Sequence, residues 1–263
     1  MRKKSVLSKT LGMLAALGLL AGCASKPASP AAQIQPAVKP AAEIIATPPA
    51  RVPDTDTILA NAAAKPPAPF EGEGWKPLFD GQTLTGWKVT EFGGHGPADC
   101  EPGRILLGMG AALTGINWTN DLPSLDYEVA LDAMRVQGSD FFCGLTFPVG
   151  ESHCSLILGG WGGALVGLSS IDGQDASENE TTQYIKFETG QWYRVRVRVT
   201  PAKIEAWLDN KQIVNLATAR HKISLRYGEI ELSKPLGLAT WQTTAALREI
   251  KMRRLEAAAS TVK

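Results

Sequence analysis

Tyr193-Arg194-Val195-Arg196-Val197-Arg198-Val199 alternates strictly between apolar and basic side chains. Successive side chains of a β-strand point to opposite faces, so this run puts valines on one face and arginines on the other. The reading extends outward on both sides. Downstream, Thr200-Pro201-Ala202-Lys203 supplies a turn, Ile204, Ala206 and Leu208 alternate with Glu205, Trp207 and Asp209, and Asp209-Asn210-Lys211 turns into a third strand over 212–216. Upstream, Tyr127, Val129, Leu131 and Ala133 alternate with Asp126, Glu128 and Asp132. The arginine face is therefore read either as solvated or as facing acidic residues of a neighbouring strand. Basic residues recur in a closing strand over 247–255. No segment combines helical period, cap and length. Many short strands with polar turns in about 190 residues define an all-β domain, a sandwich or jelly roll.

Upstream of those strands, Gly74-Trp75-Lys76-Pro77-Leu78-Phe79-Asp80-Gly81-Gln82-Thr83-Leu84-Thr85-Gly86-Trp87 reads as a short strand, a tight Asp-Gly turn and a second short strand. This stretch resembles the opening of the 3-keto-disaccharide hydrolase domain family. Lys203-Ile204-Glu205-Ala206-Trp207-Leu208-Asp209 is similar to a second element of that family. The resemblance covers roughly residues 72–256. It implies a concanavalin A-like jelly-roll sandwich of two antiparallel sheets, a carbohydrate ligand and hydrolysis of 3-keto-glycosides. The middle departs from the family's "N-S-G-I-F-F-R" and "Y-E-x-Q-I" strands. Here those places hold residues 139–147 and 152–161, without the arginine, glutamate and glutamine. The roles of those three residues do not carry over.

The N-terminal third reads as an address and a tether. Arg2, Lys3, Lys4 and Lys9 precede an apolar run over 11–20, then Leu20-Ala21-Gly22-Cys23. This is a secretory signal over 1–22 that resembles a bacterial lipobox, with Cys23 acylated. The apolar run is too short for a stable membrane span, so the membrane partner is reached through lipid. Ala24 and Ser25 follow the cysteine. By resemblance to Gram-negative sorting signals, they direct the protein to the outer membrane. Residues 23–71 are rich in proline and alanine, which reads as a disordered tether, and 257–263 as a disordered tail. Cutting after Gly22 removes four basic residues and no acids, leaving 23 against 26 and a net charge of −3. That balance gives no support for nucleic-acid binding.

Candidate chemistry lies in the middle of the domain. A hairpin loop at 147–150 would place Cys143 opposite Cys154, either as a cross-strand disulfide or as two buried thiols. The other face would then carry Asp140, Phe142, Gly144, Thr146, His153, Ser155 and Ile157. On it, Asp140 and His153 are the groups suited to proton transfer, and Phe142 a ligand contact. Trp161, among the glycines of 159–163, and Trp207 are sugar-stacking candidates, and Trp241 shares the ambiguity of Trp207. Asp172, Asp175, Glu178 and Glu180 crowd one loop. Glu178 and Glu180 are candidate acid/base carboxylates. Asp172 and Asp175 are candidate oxygen ligands for calcium or another divalent metal, although EF-hand spacing is absent. The loop from Glu91 to Pro102 reads as a lid or a connection. Two readings stand: a hydrolase of 3-keto-glycosides, and a carbohydrate-binding lipoprotein without catalysis.

Overall fold

A computed structural model of the chain describes residues 53–256. The expected signal peptide, Cys23, most of the expected tether and the C-terminal tail lie outside the described residues. The strands in chain order are β1 (Lys76–Pro77), β2 (Trp87–Val89), β3 (Ala98–Glu101), β4 (Arg104–Leu107), β5 (Leu113–Trp118), β6 (Tyr127–Gly138), β7 (Cys143–Val149), β8 (Ser152–Gly159), β9 (Leu165–Ser169), β10 (Gln183–Tyr184), β11 (Trp192–Val199), β12 (Lys203–Leu208), β13 (Lys211–Ala217), β14 (Gly237–Trp241) and β15 (Thr243–Arg254). They form two antiparallel sheets. The eight-stranded sheet runs β13-β12-β11-β6-β15-β4-β3, with β1 also paired to β15; the seven-stranded sheet runs β10-β9-β8-β7-β14-β5-β2. The fold is an all-β jelly-roll sandwich.

The alternation of residues 193–199 becomes two faces of β11. Val195, Val197 and Val199 are fully buried between the sheets, with Tyr127, Val129, Leu131 and Ala133 of β6 beside them. Burying a side chain of this size contributes about 1.5–3 kcal/mol, so a one-residue slip that turned every valine outward is excluded. On the outer face, Arg194 lies opposite Asp132 and Arg198 opposite Glu128 in the β11–β6 register. Glu128 accepts from Arg196 Nη1 at 3.0 Å, Arg198 Nε at 2.7 Å and Arg253 Nε at 2.5 Å. Asp132 accepts from Arg194 and, at 3.2 Å, from Arg248 Nε. Of the two readings of the arginine face, the acidic neighbours are the one observed.

The stretch 74–87 does not fold as two strands of one sheet. β1 pairs with β15 in the eight-stranded sheet, and β2 pairs with β5 in the other, so this segment crosses between layers. Asp80 caps the crossing by accepting from the N–H groups of Gln82 (2.8 Å) and Thr83 (2.7 Å). Trp87 Nε1 donates to the carbonyl of Leu78 at 2.7 Å, and its ring meets Trp118 edge-on at 5.2 Å. Gly86 has φ +83°, and a Cβ there would meet the Trp118 ring at 2.5 Å, so only glycine fits.

Part of the expected tether is folded. Thr55–Ala63 forms a helix, α1, whose N-cap Asp54 accepts from the N–H of Thr57 at 2.8 Å. Ile58, Leu59 and Ala62 cluster with Met134, Val136 and Ala246 on the outside of the eight-stranded sheet. The strap that follows gives its carbonyls to the arginines. Lys65 O accepts from Arg248 Nη1 at 2.7 Å and Ala68 O from Arg194 Nη2 at 2.8 Å. Phe70 lies 3.8 Å from Arg194 Cζ and 4.6 Å from Lys251 Nζ, measured to the ring centroid. The domain therefore includes residues upstream of 72.

The cross-strand disulfide is corrected. The hairpin turns at Gly150-Glu151, where Gly150 has φ +60°, and the rungs run Val149–Ser152, Phe147–Cys154 and Cys143–Leu158. Cys143 and Cys154 stand four residues apart along the ladder, roughly 13 Å, beyond the ~7 Å Cα limit of a bridge. Both are free, buried thiols, and burial pushes each up to about 12.

Candidate functional site

A hollow of about 490 Å³ opens on the outer face of the seven-stranded sheet. Ser155 and Ile157 of β8 and Ser169 of β9 contribute to its lining, with Leu113 and Trp241 at the ends of β5 and β14. Loops complete it: Asp140-Phe141 before β7, Trp161 after β8, and Arg226, Tyr227, Glu229 and Ile230 before β14. Its floor is apolar, because Phe141, Ile157, Leu113 and Ala239 form a buried cluster separate from the inter-sheet core. Its walls are aromatic and open. Trp161 is 45 % exposed, Trp241 38 % and Tyr227 94 %. Exposed flat rings around a polar group suit the apolar faces of a pyranose.

Asp140 is the fixed acid of this hollow. Its Oδ1 accepts from the Phe141 N–H at 2.7 Å and its Oδ2 from the Gly162 N–H at 3.2 Å. Its own N–H donates to Thr243 Oγ1 at 3.2 Å. Beneath it lies Arg135, a buried guanidinium of β6. Its Nη2 donates to the carbonyls of Asp140 (3.2 Å), Gly159 (3.3 Å) and Gly163 (2.9 Å). Burial pushes Arg135 below its ordinary value, and the nearby Asp140 and Tyr193 oppose that shift. Arg135 ties the turn that carries Trp161 to the loop that carries Asp140. Gly159 makes this approach possible: its φ is +79°, and a Cβ would lie 2.4 Å from Arg135 Nη2. At the rim, Arg226 Nε pairs with Asp175 Oδ2 at 3.3 Å, and its Cζ lies 5.7 Å from the Trp161 ring centroid. Glu229 Oε1 accepts from the Gly93 N–H at 3.0 Å, which joins the 91–102 loop to this wall.

Of the residues expected from sequence, Asp140 and Trp161 meet in the hollow, together with Ser155 and Ile157. Phe142 does not. A bend at Ser139–Phe142 breaks the alternation, so Phe141 faces the hollow while Phe142 enters the inter-sheet core. There it meets Phe187 at 5.0 Å and Tyr193 at 6.1 Å. Aromatic pairs add about 0.5–1.5 kcal/mol beyond burial, which favours the bend. His153 shares the face of Ser155 but is not among the residues lining the hollow. Burial and the nearby Lys234 hold its imidazole below the ordinary value. Trp207 is on the other sheet, stacked beneath Arg196 at 3.9 Å and Arg198 at 5.2 Å, so its sugar-platform role is corrected.

The acidic loop is spent on local structure. Glu178 is exposed and outside the hollow. Glu180 Oε1 lies 3.0 Å from His221 Nε2, and Asp172 Oδ2 2.7 Å from His221 Nδ1. The His221 contact and the Lys222 N–H hold the Asp172 carboxyl below its usual range. Asp175 accepts from Ser169 and Ser170 hydroxyls at 3.3 and 3.2 Å besides Arg226. Asp172 and Asp175, the expected metal ligands, are engaged by His221, Arg226 and serine hydroxyls, and among the described residues no group of three or more His, Cys, Asp or Glu is arranged to hold a metal. Arg135, Phe141, Arg226, Tyr227 and Glu229 were not expected from sequence.

The fold and the hollow define a jelly-roll sandwich with an aromatic-walled pocket of ligand-binding size on one sheet. The chain belongs to the family of the 3-keto-alpha-glucoside-1,2-lyase-like domain, whose model matches residues 74–253. No curated protein matches it. Among solved structures, the Crh5 transglycosylase in complex with NAG is 11 % identical, with a TM-score of 0.50, over 70 % of this chain and 85 % of that one. The carbohydrate-binding module CBM66 from Bacillus subtilis is 12 % identical, with a TM-score of 0.45, over 64 % and 95 %. A Bacillus subtilis protein with a galectin-like fold is 10 % identical, with a TM-score of 0.46, over 65 % and 90 %. At such identities the likeness concerns the fold alone.

Proposed function

We propose that the hollow binds a 3-keto-glycoside and that Asp140 starts its cleavage. The observation that carries this reading is a carboxylate clamped by two backbone N–H groups in an aromatic-walled hollow. A ketone at sugar C3 acidifies the proton on C2. Asp140 takes that proton, and the electron pair moves onto the C3 oxygen as an enolate. Arg226, at the rim, supplies positive charge for that oxygen. The enolate then collapses to a C1–C2 double bond as the C1–O glycosidic bond breaks. The departing oxygen takes a proton, for which Glu229, the other carboxylic side chain lining the hollow, is the candidate. Water adds across the double bond, oxygen to C1 and proton to C2, so the net change is hydrolysis. No step of this scheme runs through Asp172 or Asp175, whose oxygens are held by His221, Arg226 and serine hydroxyls.

The test is incubation of the purified protein with a 3-keto-disaccharide, with 3-keto-glucose followed over time. Release of 3-keto-glucose is expected. Saccharide binding without release would favour the second reading, a non-catalytic carbohydrate-binding protein. One feature favours that reading: Glu229 is exposed and already bonded to the Gly93 N–H.

We further propose that the protein sits at the bacterial cell envelope, anchored to the outer membrane through acylated Cys23. The support is the sequence over 1–25. Each buried methylene contributes about 0.8 kcal/mol, so several acyl chains give firm attachment. The expected result is labelled palmitate in the wild-type protein and none in Cys23→Ser, with only the wild type partitioning into detergent. An unlabelled wild-type protein would end the proposal.

A further inference from the structure

The outer face of the eight-stranded sheet carries a second recess, about 900 Å³, between the strap over residues 65–75 and β11. Six cations line it: Lys65, Arg194, Arg196, Arg198, Arg248 and Arg253. Three carboxylates line it too, Glu71, Asp132 and Asp209, and a fourth, Glu128, is buried against three of the arginines. With Glu205, which pairs loosely with Arg198, five carboxylates stand against six cations, an excess of one positive charge.

The arginines fall into two sets. Arg194, Arg248 and Arg253 donate to strap carbonyls, those of Ala68 at 2.8 Å, Lys65 at 2.7 Å and Glu73 at 3.3 Å. A carbonyl satisfies a donor but does not neutralise its charge. The polar partners of Arg196 and Arg198 are Glu128 and Glu205, not strap carbonyls. Their side chains keep 26 % and 33 % exposure, and each is held over the Trp207 ring while donating once to Glu128. Their remaining N–H groups are open to the recess, apart from a loose Arg198–Glu205 pair at 3.7 Å. Arg194, Arg196 and Arg198 alternate on one strand, so their Cα atoms repeat every ~7 Å along it, and the guanidinium groups of Arg196 and Arg198 converge on Glu128 Oε1. Trp75 and Trp192, packed over Arg253 and Arg248, add flat apolar surface beside the charges.

We infer that this recess is a second ligand site, for an anionic saccharide whose carboxylate or phosphate groups meet Arg196 and Arg198. Fixed guanidinium forks recognise planar oxyanions better than flexible ammonium groups do, and here their geometry is set before the ligand arrives. The site is on the opposite sheet from the hollow and does not depend on the reaction assigned to Asp140.

The experiment is calorimetric titration of the purified protein with an oligogalacturonate and with neutral cello-oligosaccharide of the same length. The acidic chain is expected to bind at least about tenfold more tightly, and to weaken as salt rises from about 50 to about 200 mM. The double variant Arg196→Gln, Arg198→Gln should lose about tenfold or more of that affinity, whereas Asp140→Asn should keep it. In the unmodified protein, the acidic chain should also protect Arg196 and Arg198 from phenylglyoxal, a readout that needs no variant to fold. Equal affinity for the acidic and neutral chains, or no protection of these two arginines, would overturn the inference. Undiminished binding in a folded double variant would overturn it as well.

Discussion

Glu128→Ala is expected to destabilise the domain by about 3–5 kcal/mol, the usual cost of removing one partner from a buried charge network. Glu128 has no exposed surface. Arg196, Arg198 and Arg253 all donate to it, so its loss leaves three guanidinium groups facing one another without their shared anion. Repulsion among like charges then adds to the lost hydrogen bonds. Arg253 also meets the carbonyls of Glu71 and Glu73, so the disturbance spreads into the strap. A domain of this size loses about 2–4 °C of melting temperature per kcal/mol, which makes the expected fall roughly 6–20 °C. Arg198→Gln removes one half-exposed donor and leaves the other two, and its expected cost is about 1 kcal/mol or less. Calorimetry on both variants checks the contrast. A Glu128→Ala protein melting within about 2 °C of wild type would mean that the network contributes nothing net.

That network was legible in the sequence in a way the hollow was not, and the difference is physical. The arginine face of 193–199 and the acidic face of 126–132 each follow from a period of two along one strand, and antiparallel pairing brought them together. The hollow has no such period. Asp140, Trp161, Arg226 and Trp241 come from four separate segments, three of them loops, and only the tertiary fold brings them together. Phe141 and Phe142 exchanged faces because a bend precedes β7, and a pattern of alternate faces carries no warning of a bend. The hairpin register failed for a related reason. Val149 continues the strand, and Gly150, with its positive φ, takes the turn instead. Helix α1 did leave a signal: Asp54 as N-cap, followed by apolar residues at 58, 59 and 62. It was masked by the prolines around it. Arg135 gave none, because in sequence it is one more arginine after an apolar run, and its role depends on carbonyls 5, 24 and 28 residues away.

Asp140→Asn is expected to lower kcat with 3-keto-disaccharide by about 10²–10⁴-fold, the range for loss of a positioned general base. The substitution is close to isosteric. Its amide oxygen still accepts from the Phe141 N–H, and only the longer bond from Gly162 is forfeited if the amide nitrogen takes the other position. One lost hydrogen bond costs about 1 kcal/mol, so the fold and the aromatic walls persist. KM should therefore change far less than kcat, the pattern of a group that acts in the transition state rather than in binding. Glu178→Gln and Glu180→Gln give the contrast. Neither residue lines the hollow, and Glu180 is held by His221 at 3.0 Å, so both variants should turn over substrate at the wild-type rate. Steady-state rates for the three variants, read beside their melting temperatures, separate lost chemistry from lost structure. A folded Asp140→Asn protein within about tenfold of wild type would remove Asp140 as the base.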